Sequence, residues 1–402
     1  MFFLKKAYCR IFQLGFRAAL PFLPYREPAI IGSCAELGPV LAGKQAKQVL
    51  VVTDAGIVQN GLTAPLIESL DKAGIGHTVY SKVQPNPTVD QVEEALELYL
   101  GNECDAVIAI GGGSSMDCAK AVAARVAYPR KSLAQMKGVL RVLRRTPTIV
   151  AIPTTAGTGS EVTLAAVITD AREHHKYAIM SFPLIPDYAV LDAQLTYSLP
   201  AHLTATTGMD ALTHAVEAYI GRSTTKQTRQ LALEATSLVF ANIERAWANG
   251  ADHEARENML HAAYKAGISF SMSYVGYIHA IAHSLGGQYG TPHGLANAVV
   301  MPYVLEAYGT SAHKKLHELG VAAKVCRADD SHAEGAARFI EAIRRLNDNM
   351  NIPRKLSGIE PADIEHLSHI AEHEANPLYP VPKLMTAEEL AKLYEQVADW
   401  SK

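Results

Sequence analysis

The sequence holds five cysteines in 402 residues, Cys9, Cys34, Cys104, Cys118 and Cys326, scattered and with no C-x-x-C pair. An odd, dispersed set argues against a disulfide framework and a thiolate metal site, and fits the reduced thiols of a cytoplasmic protein. Excess charge of either sign is lacking too. With 37 Lys and Arg against 40 Asp and Glu the net charge is −3, which leaves no field to hold nucleic acid. There is no internal repeat and no low-complexity segment. The apolar start is too broken to span a bilayer, because Lys5, Lys6, Arg10, Arg17 and Pro21 interrupt it. The same interruptions, and the want of a small-residue cleavage site, argue against a secretory signal.

What is present is apolar substance. Hydrophobic residues make up 49% of the chain, enough for large cores, and the length predicts two domains behind a short extension. The expected boundaries are residues 1–28 for the extension, 29–199 for an α/β domain and 200–402 for an all-helical domain. In the extension Leu4, Tyr8, Ile11 and Phe12 recur at helical spacing, and no acid precedes Glu27. The amphipathic helix this predicts is expected to pack on its own domain or on a second subunit. The alternative is that residues 1–20 touch a membrane surface.

From Ala29 to Leu199 strands alternate with helices. Gln48 to Thr53, His77 to Tyr80, Ala106 to Ile110, Thr148 to Ile152 and Lys176 to Met180 read as strands, and Thr63 to Ala73, Thr88 to Leu100 and Met116 to Ala127 as helices. Near-continuous β-branched runs between helices imply a parallel sheet covered on both faces, hence a doubly wound α/β domain. Gly111-Gly-Gly-Ser-Ser115 joins a strand to a helix, where glycines let the backbone approach a ligand and the helix start offers N–H groups to phosphate. It is either a pyrophosphate site or only a tight turn. Asp54, ending a strand, either bonds a ribose hydroxyl and favours NAD over NADP or caps a turn. The hydroxyl-rich stretch from Pro153 to Ser160 also leaves a strand at the sheet's carboxyl edge and suits a polar ligand. Lys176 either reaches a ribose or is a solvated strand residue.

Beyond Pro200 the strand pattern ends and helices follow, the last ones expected at Pro361 to Ala371 and Thr386 to Ser401. Asp210-Ala-Leu-Thr-His214 and His279-Ala-Ile-Ala-His283 each place two polar side chains on one helix face, and His293 follows a glycine-rich turn. Any single pair among sixteen histidines is weak evidence. Together, with flanks of Met209, Leu212, Ile278 and Ile281, they make an apolar setting in which an unpaired Asp would be costly without a cation. Imidazoles and a carboxylate suit iron or zinc better than calcium or magnesium.

Four stretches together resemble the iron-containing (group III) alcohol dehydrogenase family: Gly111 to Lys120, Pro153 to Thr163, Thr207 to Tyr219 and His279 to Gly294. The similarity runs from about Tyr25 to the C-terminus and leaves out only the first twenty-odd residues. It implies a dehydroquinate synthase-like architecture, a dinucleotide-binding α/β domain and an all-helical domain, with cofactor and metal in a cleft between them. It also implies Asp210, His214, His279 and His293 as ligands of one divalent metal ion, and His283 as a histidine beside the nicotinamide that does not ligate it. Asp54, Asn86, Gly112, Gly113, Ser114, Thr154, Thr155, Thr158, Val167 and Lys176 match cofactor contacts, and Phe270 a residue of the substrate pocket. Ala165 stands where some relatives carry a polar pocket residue.

The expected activity is therefore NAD- and metal-dependent interconversion of a small primary alcohol and its aldehyde, in a homodimer or higher homo-oligomer. His283 is the candidate proton relay. Rival readings are a glycerol-type polyol dehydrogenase on the same fold and a non-catalytic metal-binding protein. A phosphorylated substrate is disfavoured because Tyr274 to Tyr289 contains no Lys or Arg. Phe270, Tyr274, Ile278 and, further off, Cys118 are the expected apolar pocket residues.

Overall fold

The alternation of side chains along a strand decides which layer each apolar residue joins. Strand β2 (Gln48–Val52) sends Val49 and Val51 into one buried cluster and Leu50 and Val52 into another, so both of its faces are covered. With β1 (Ala29–Ile31), β3 (Gly76–Tyr80), β4 (Ala106–Gly111), β6 (Thr148–Pro153) and β9 (Tyr188–Val190) it forms a six-stranded sheet in the order β1-β9-β6-β4-β2-β3. Every registered pair in it is parallel. Helices α2 (Leu37–Gly43) and α4 (Ala64–Lys72) bury Leu37, Leu41, Leu66 and Leu70 on the Val51 side. Helices α5 (Val89–Gly101) and α6 (Gly113–Ala127) bury Val92, Leu96, Met116 and Val122 on the other. Short α3 (Ala55–Gln59) follows β2.

This computed structural model describes residues 2–171 and 175–401, in two units: residues 24–198, and residues 1–23 with 199–402. The parallel α/β and all-helical characters expected from the sequence are both found. One expectation is corrected. The strand at Lys176 is not part of the main sheet: β8 (His175–Met180) pairs antiparallel with β7 (Ala165–Asp170) and parallel with two-residue β5 (Gly138–Val139) in a small second sheet.

The helical unit comprises α1 (Phe2–Ala19), α7 (Ala201–Ile220), α8 (Lys226–Ala248), α9 (His253–Ser273), α10 (Tyr277–Tyr289), α11 (His293–Tyr308), α12 (His313–Ala322), α13 (His332–Asn349), α14 (Ile364–Ala375) and α15 (Ala387–Val397). Capping boxes at Thr225, Ser331 and Thr386 set the starts of α8, α13 and α15 by satisfying otherwise orphaned N–H groups. The last helix ends before the expected Ser401, because the chain there pairs Leu356 with Ala398: Leu356 N donates to Val397 O and Asp399 N to Leu356 O. Pro361–Asp363 form a 3-10 turn rather than the first turn of α14. From Gly208 to Ile220 every residue of α7 is buried, so this helix is the unit's interior axis.

Helix α1 packs on its own unit. Arg10 donates to Val381 O (2.8 Å) and Pro382 O (3.0 Å), and Gln13 Nε2 to Tyr379 O (2.8 Å). Among its described side chains Cys9 and Gln13 are buried, joined by Leu20 just past its end, and the side chains of Phe2, Phe3 and Leu4 lie outside those described. Among the described residues no helix is long and apolar enough to cross a membrane.

Candidate metal and cofactor sites

On α7 the four-residue step from Asp210 to His214 points both side chains the same way. Helix α10 brings His279 and the first turn of α11 brings His293. One ligand atom from each of these four residues lies within 4.8 Å of every other. His279 Nε2 is 3.7 Å and His293 Nε2 3.4 Å from Asp210 Oδ1. Burial alone would raise the Asp210 carboxyl, but His214, His293 and His279 overcome it and hold it well below the usual carboxylate range. Burial, together with the neighbouring imidazoles of His214 and His293, pushes His279 well below the usual imidazole range, so it stays neutral and keeps a lone pair. An ionised carboxylate beside a neutral His279 imidazole is the state in which these two groups bind a divalent ion.

Three further residues hold these side chains and the neighbouring His283. Glu217, three residues past His214 on the same face of α7, lies 2.6 Å from His279 Nδ1 and accepts from the backbone of Gly276 and Ile278 (both 2.8 Å). With Nδ1 directed at Glu217, the other ring nitrogen of His279 faces Asp210. Burial pushes the Glu217 carboxyl up to about 8, opposed by those backbone N–H groups. Asn297, one turn after His293, donates from Nδ2 to Asp210 Oδ1 (2.7 Å), with His293 Nε2 at 3.1 Å and His279 Nε2 at 3.3 Å. Its amide thus sets the positive end of a dipole among converging lone pairs. The spacing at i, i+4 and i+7 on α7, and at i, i+4 on α11, was the available signal for both.

The third is Glu374, on α14. His283 is not in the four-atom cluster; its ring stacks on His293 at 5.2 Å, and its Nδ1 lies 2.7 Å from Glu374 Oε1. Tyr379 Oη donates to the same oxygen at 2.7 Å. Burial alone would raise the Glu374 carboxyl, but His283 outweighs it and the value falls. Phe270 stacks on His214 at 4.1 Å and 14°, which puts an apolar ring against a cluster member. Tyr274 caps α9 with φ 61°, a strained setting for a side chain as large as tyrosine. Of the other expected pocket residues, Ile278 is interior to α10 and Cys118 belongs to the α/β core, where burial pushes its thiol up to about 12. Cys118 therefore lines no pocket: α6 turns it toward the sheet.

The glycine turn is built from backbone. Gly111, at the end of β4, has φ 147°, and a Cβ there would meet Ser115 Oγ at 2.6 Å. Gly112 precedes α6 in an extended conformation with no side-chain cap, so the first N–H groups of the helix are left for a ligand. The helix starts at Gly113, three residues earlier than its apolar pattern suggests. A Cβ on Gly113 would meet Thr158 at 3.1 Å, and one on Gly112 would be 3.8 Å from Thr155 Oγ1, itself buried with no hydrogen-bond partner among the described residues. Asn86 joins this side: its N donates to Ser114 Oγ (3.3 Å) and its Oδ1 accepts from Lys176 Nζ (2.7 Å). Asp54 caps α3 through Ile57 N (3.0 Å) while its second oxygen lies on the Gly111 side. Thr154 is buried, its N donating to Gly111 O (3.0 Å), and Val167 pairs with Ala178 across β7 and β8.

One residue of α6 ties the two walls of this turn together. The fully buried Lys120 Nζ shares its protons among Ser160 O (2.6 Å), Ser160 Oγ (3.0 Å), Thr163 O (3.1 Å), Thr163 Oγ1 (2.8 Å) and Ala165 O (3.0 Å). Burial lowers it to about 8 against the pull of Asp117 and Glu161.

A doubly wound unit with a phosphate-ready turn, together with a helical unit in which one aspartate and three histidines converge, defines the architecture of a metal-dependent, nucleotide-using oxidoreductase. Residues 30–193 match the family model for iron-containing alcohol dehydrogenase and residues 204–398 that for the family's C-terminal part, so the chain belongs to the iron-containing alcohol dehydrogenase family. It is 35% identical to the 1,3-propanediol dehydrogenase of Citrobacter freundii over 94% of this chain and 97% of that one. It is 36% identical to the NAD-dependent methanol dehydrogenase of Bacillus methanolicus over 92% and 98%. The solved structure of a 1,3-propanediol oxidoreductase superposes with a TM-score of 0.89 at 33% identity, covering 93% of this chain and 99% of that one. The protein is thus an enzyme, an oxidoreductase of the alcohol dehydrogenase type.

Proposed function

We propose that the enzyme interconverts a small primary alcohol and its aldehyde, using NAD and one divalent ion, iron or zinc, held by Asp210, His214, His279 and His293. The observation that carries this reading is the convergence of those four ligand atoms within 4.8 Å. The donor set fits: the carboxylate is ionised, His279 is neutral, and Glu217 needs nearby positive charge to stay ionised at neutral pH. When bound, such an ion supplies Lewis-acid polarisation of the substrate oxygen.

The rest of the chemistry falls to side chains. Phe270 offers the substrate an apolar wall, which favours an aliphatic alcohol. Loss of hydride from the alcohol carbon would require the hydroxyl proton to leave, and His283 would carry it outward, its ring held by Glu374, which in turn accepts from Tyr379. Gly112, Gly113 and Ser114 hold the pyrophosphate, Thr154, Thr155 and Thr158 the adenine and ribose side, and Asn86, Val167 and Lys176 add contacts. Asp54 favours NAD over NADP by repelling a 2′-phosphate, and the methanol dehydrogenase relative is itself named NAD-dependent. Five unpaired thiols support a cytoplasmic location. The half-exposed edge strand β1, with Ile30 at its surface, supports a homodimer or larger assembly.

The test is NAD reduction by a panel of short and medium primary alcohols, run on protein of measured metal content. Turnover should track iron or zinc content and prefer NAD. Undiminished turnover in stripped protein overturns the metal assignment; no turnover with any alcohol or aldehyde overturns the whole reading.

A further inference from the structure

A surface helix ordinarily turns an apolar stripe inward. Helix α1, which precedes the family-matched residues, turns a glutamine inward instead. Cys9, Gln13 and Phe16, with Leu20 just past the helix end, follow one another at steps of four, three and four and so share one face. Gln13 is 3% exposed and its amide is used at both ends: Oε1 accepts from Arg10 Nη1 (2.7 Å), and Nε2 donates to Pro377 O (3.2 Å) and Tyr379 O (2.8 Å). The Arg10 guanidinium takes Val381 O and Pro382 O. Two side chains of α1 thus hold four carbonyls of the segment between α14 and α15. Buried Ser223, just past α7, donates from Oγ to Gln13 O (3.1 Å) and fixes the helix in turn.

That segment leads to the histidine beside the metal-ligand cluster. Tyr379, whose main-chain oxygen Gln13 holds, donates through Oη to Glu374 Oε1, the same oxygen that lies 2.7 Å from His283 Nδ1. A second line of contact runs through rings. Phe16 meets Tyr274 edge-on at 5.0 Å and 68°, and Tyr274 lies against Tyr379 at 6.3 Å and 36°. Tyr379 is therefore gripped from α1 at its carbonyl and, through Tyr274, at its ring. A shift of Tyr379 would free the Glu374 oxygen that orients His283.

We propose that α1 is a positioning element of the reaction: Gln13, assisted by Arg10 and Phe16, sets the geometry of the Tyr379–Glu374–His283 chain. This role rests on the reading of His283 as the proton carrier. A helix that had only to cover the unit would need no amide at position 13, because a leucine would fill the space without burying a polar group. An amide satisfied at both ends is what the position needs if the carbonyls of Pro377 and Tyr379 are to stay in place. None of the three residues touches a metal ligand, so each acts on the chemistry only through Tyr379.

The experiment is a double-mutant cycle on the full-length, metal-loaded enzyme, with saturating NAD and a primary alcohol, using Gln13→Leu, His283→Ala and the two combined. His283→Ala should lower kcat on the order of a hundredfold. Gln13→Leu should lower it about tenfold, because small misplacements of a reacting group are costly. Metal content and the KM for NAD should stay at wild type in Gln13→Leu, which also reports that it folds. On the His283→Ala background Gln13→Leu should have no further effect on kcat, a result that a glutamine serving stability alone would not give. Arg10→Met, which withdraws the neighbouring pair of bonds, should repeat the pattern with a smaller loss, and it is read by the same criteria should Gln13→Leu fail to hold the metal. The proposal is overturned if Gln13→Leu leaves kcat at wild type, or lowers it equally with and without His283. Wild-type kcat in His283→Ala overturns instead the relay reading of His283, and the positioning role falls with it.

Discussion

The glycine turn of the α/β unit and the aspartate–histidine cluster of the helical unit are built on opposite plans. The turn offers main-chain N–H groups, and its side chains are small because larger ones would not fit; its shape is kept by φ 147° at Gly111 and by the Lys120 ammonium behind it. The cluster offers side chains on helices, with His279 oriented by Glu217 and Asp210 by Asn297. The contrast teaches where each site is vulnerable. Adding atoms should damage the turn, and removing donors should damage the cluster.

Four variants sharpen that contrast. His279→Ala should lose the metal and lower turnover on the order of a thousandfold or more, while NAD binding, followed by fluorescence titration, stays near wild type. Loss of NAD binding along with the metal would break the separation. Gly111→Val should do the converse: strain of about 1–3 kcal/mol at a positive φ is expected to appear as roughly ten- to hundredfold weaker NAD binding, with elemental analysis showing the metal retained. Glu217→Gln leaves all four ligands in place and removes only the group behind His279, so metal affinity should fall roughly ten- to hundredfold, measured by competition with a chelator.

The smallest effect concerns Glu161, buried behind the turn. Its carboxyl is raised by burial to about 7 from the usual 4.5. Between those values the folded protein keeps a proton that the unfolded chain has released, so this group makes stability fall as pH rises from about 4.5 to about 7. Glu161→Gln should flatten that part of the profile, seen as a smaller difference in urea midpoint between about pH 5 and about pH 8. An unchanged slope would mean that Asp117, raised by burial to about 6, carries the effect instead.

Much of the fold could be read from local patterns because the physics there is local. Gln48–Val52 and Ala106–Gly111 are runs that only a covered parallel sheet accommodates, and the spacing of Asp210 and His214, like that of His279 and His283, is a property of one helix turn. The small sheet escaped reading because β5 is two residues long and its partner β8 meets it from 41 residues downstream, Gly138 opposite Ile179. Glu374 escaped for the same reason: α14 brings it to His283 across 91 residues, and its own neighbours in the chain say nothing of it. Lys120 was visible as part of a motif, but its burial was not. A lysine in a helix following a glycine turn reads as solvated until the hydroxyl loop is seen folded over it.

The five-oxygen cradle of Lys120 has a mechanical consequence. Carbonyls from Ser160 to Ala165 are moored to one point on α6, and the same helix begins at the glycines. A displacement of α6 therefore drags the threonine-rich wall along with it, and the dinucleotide would meet a single stiff jaw rather than two loops that adjust separately.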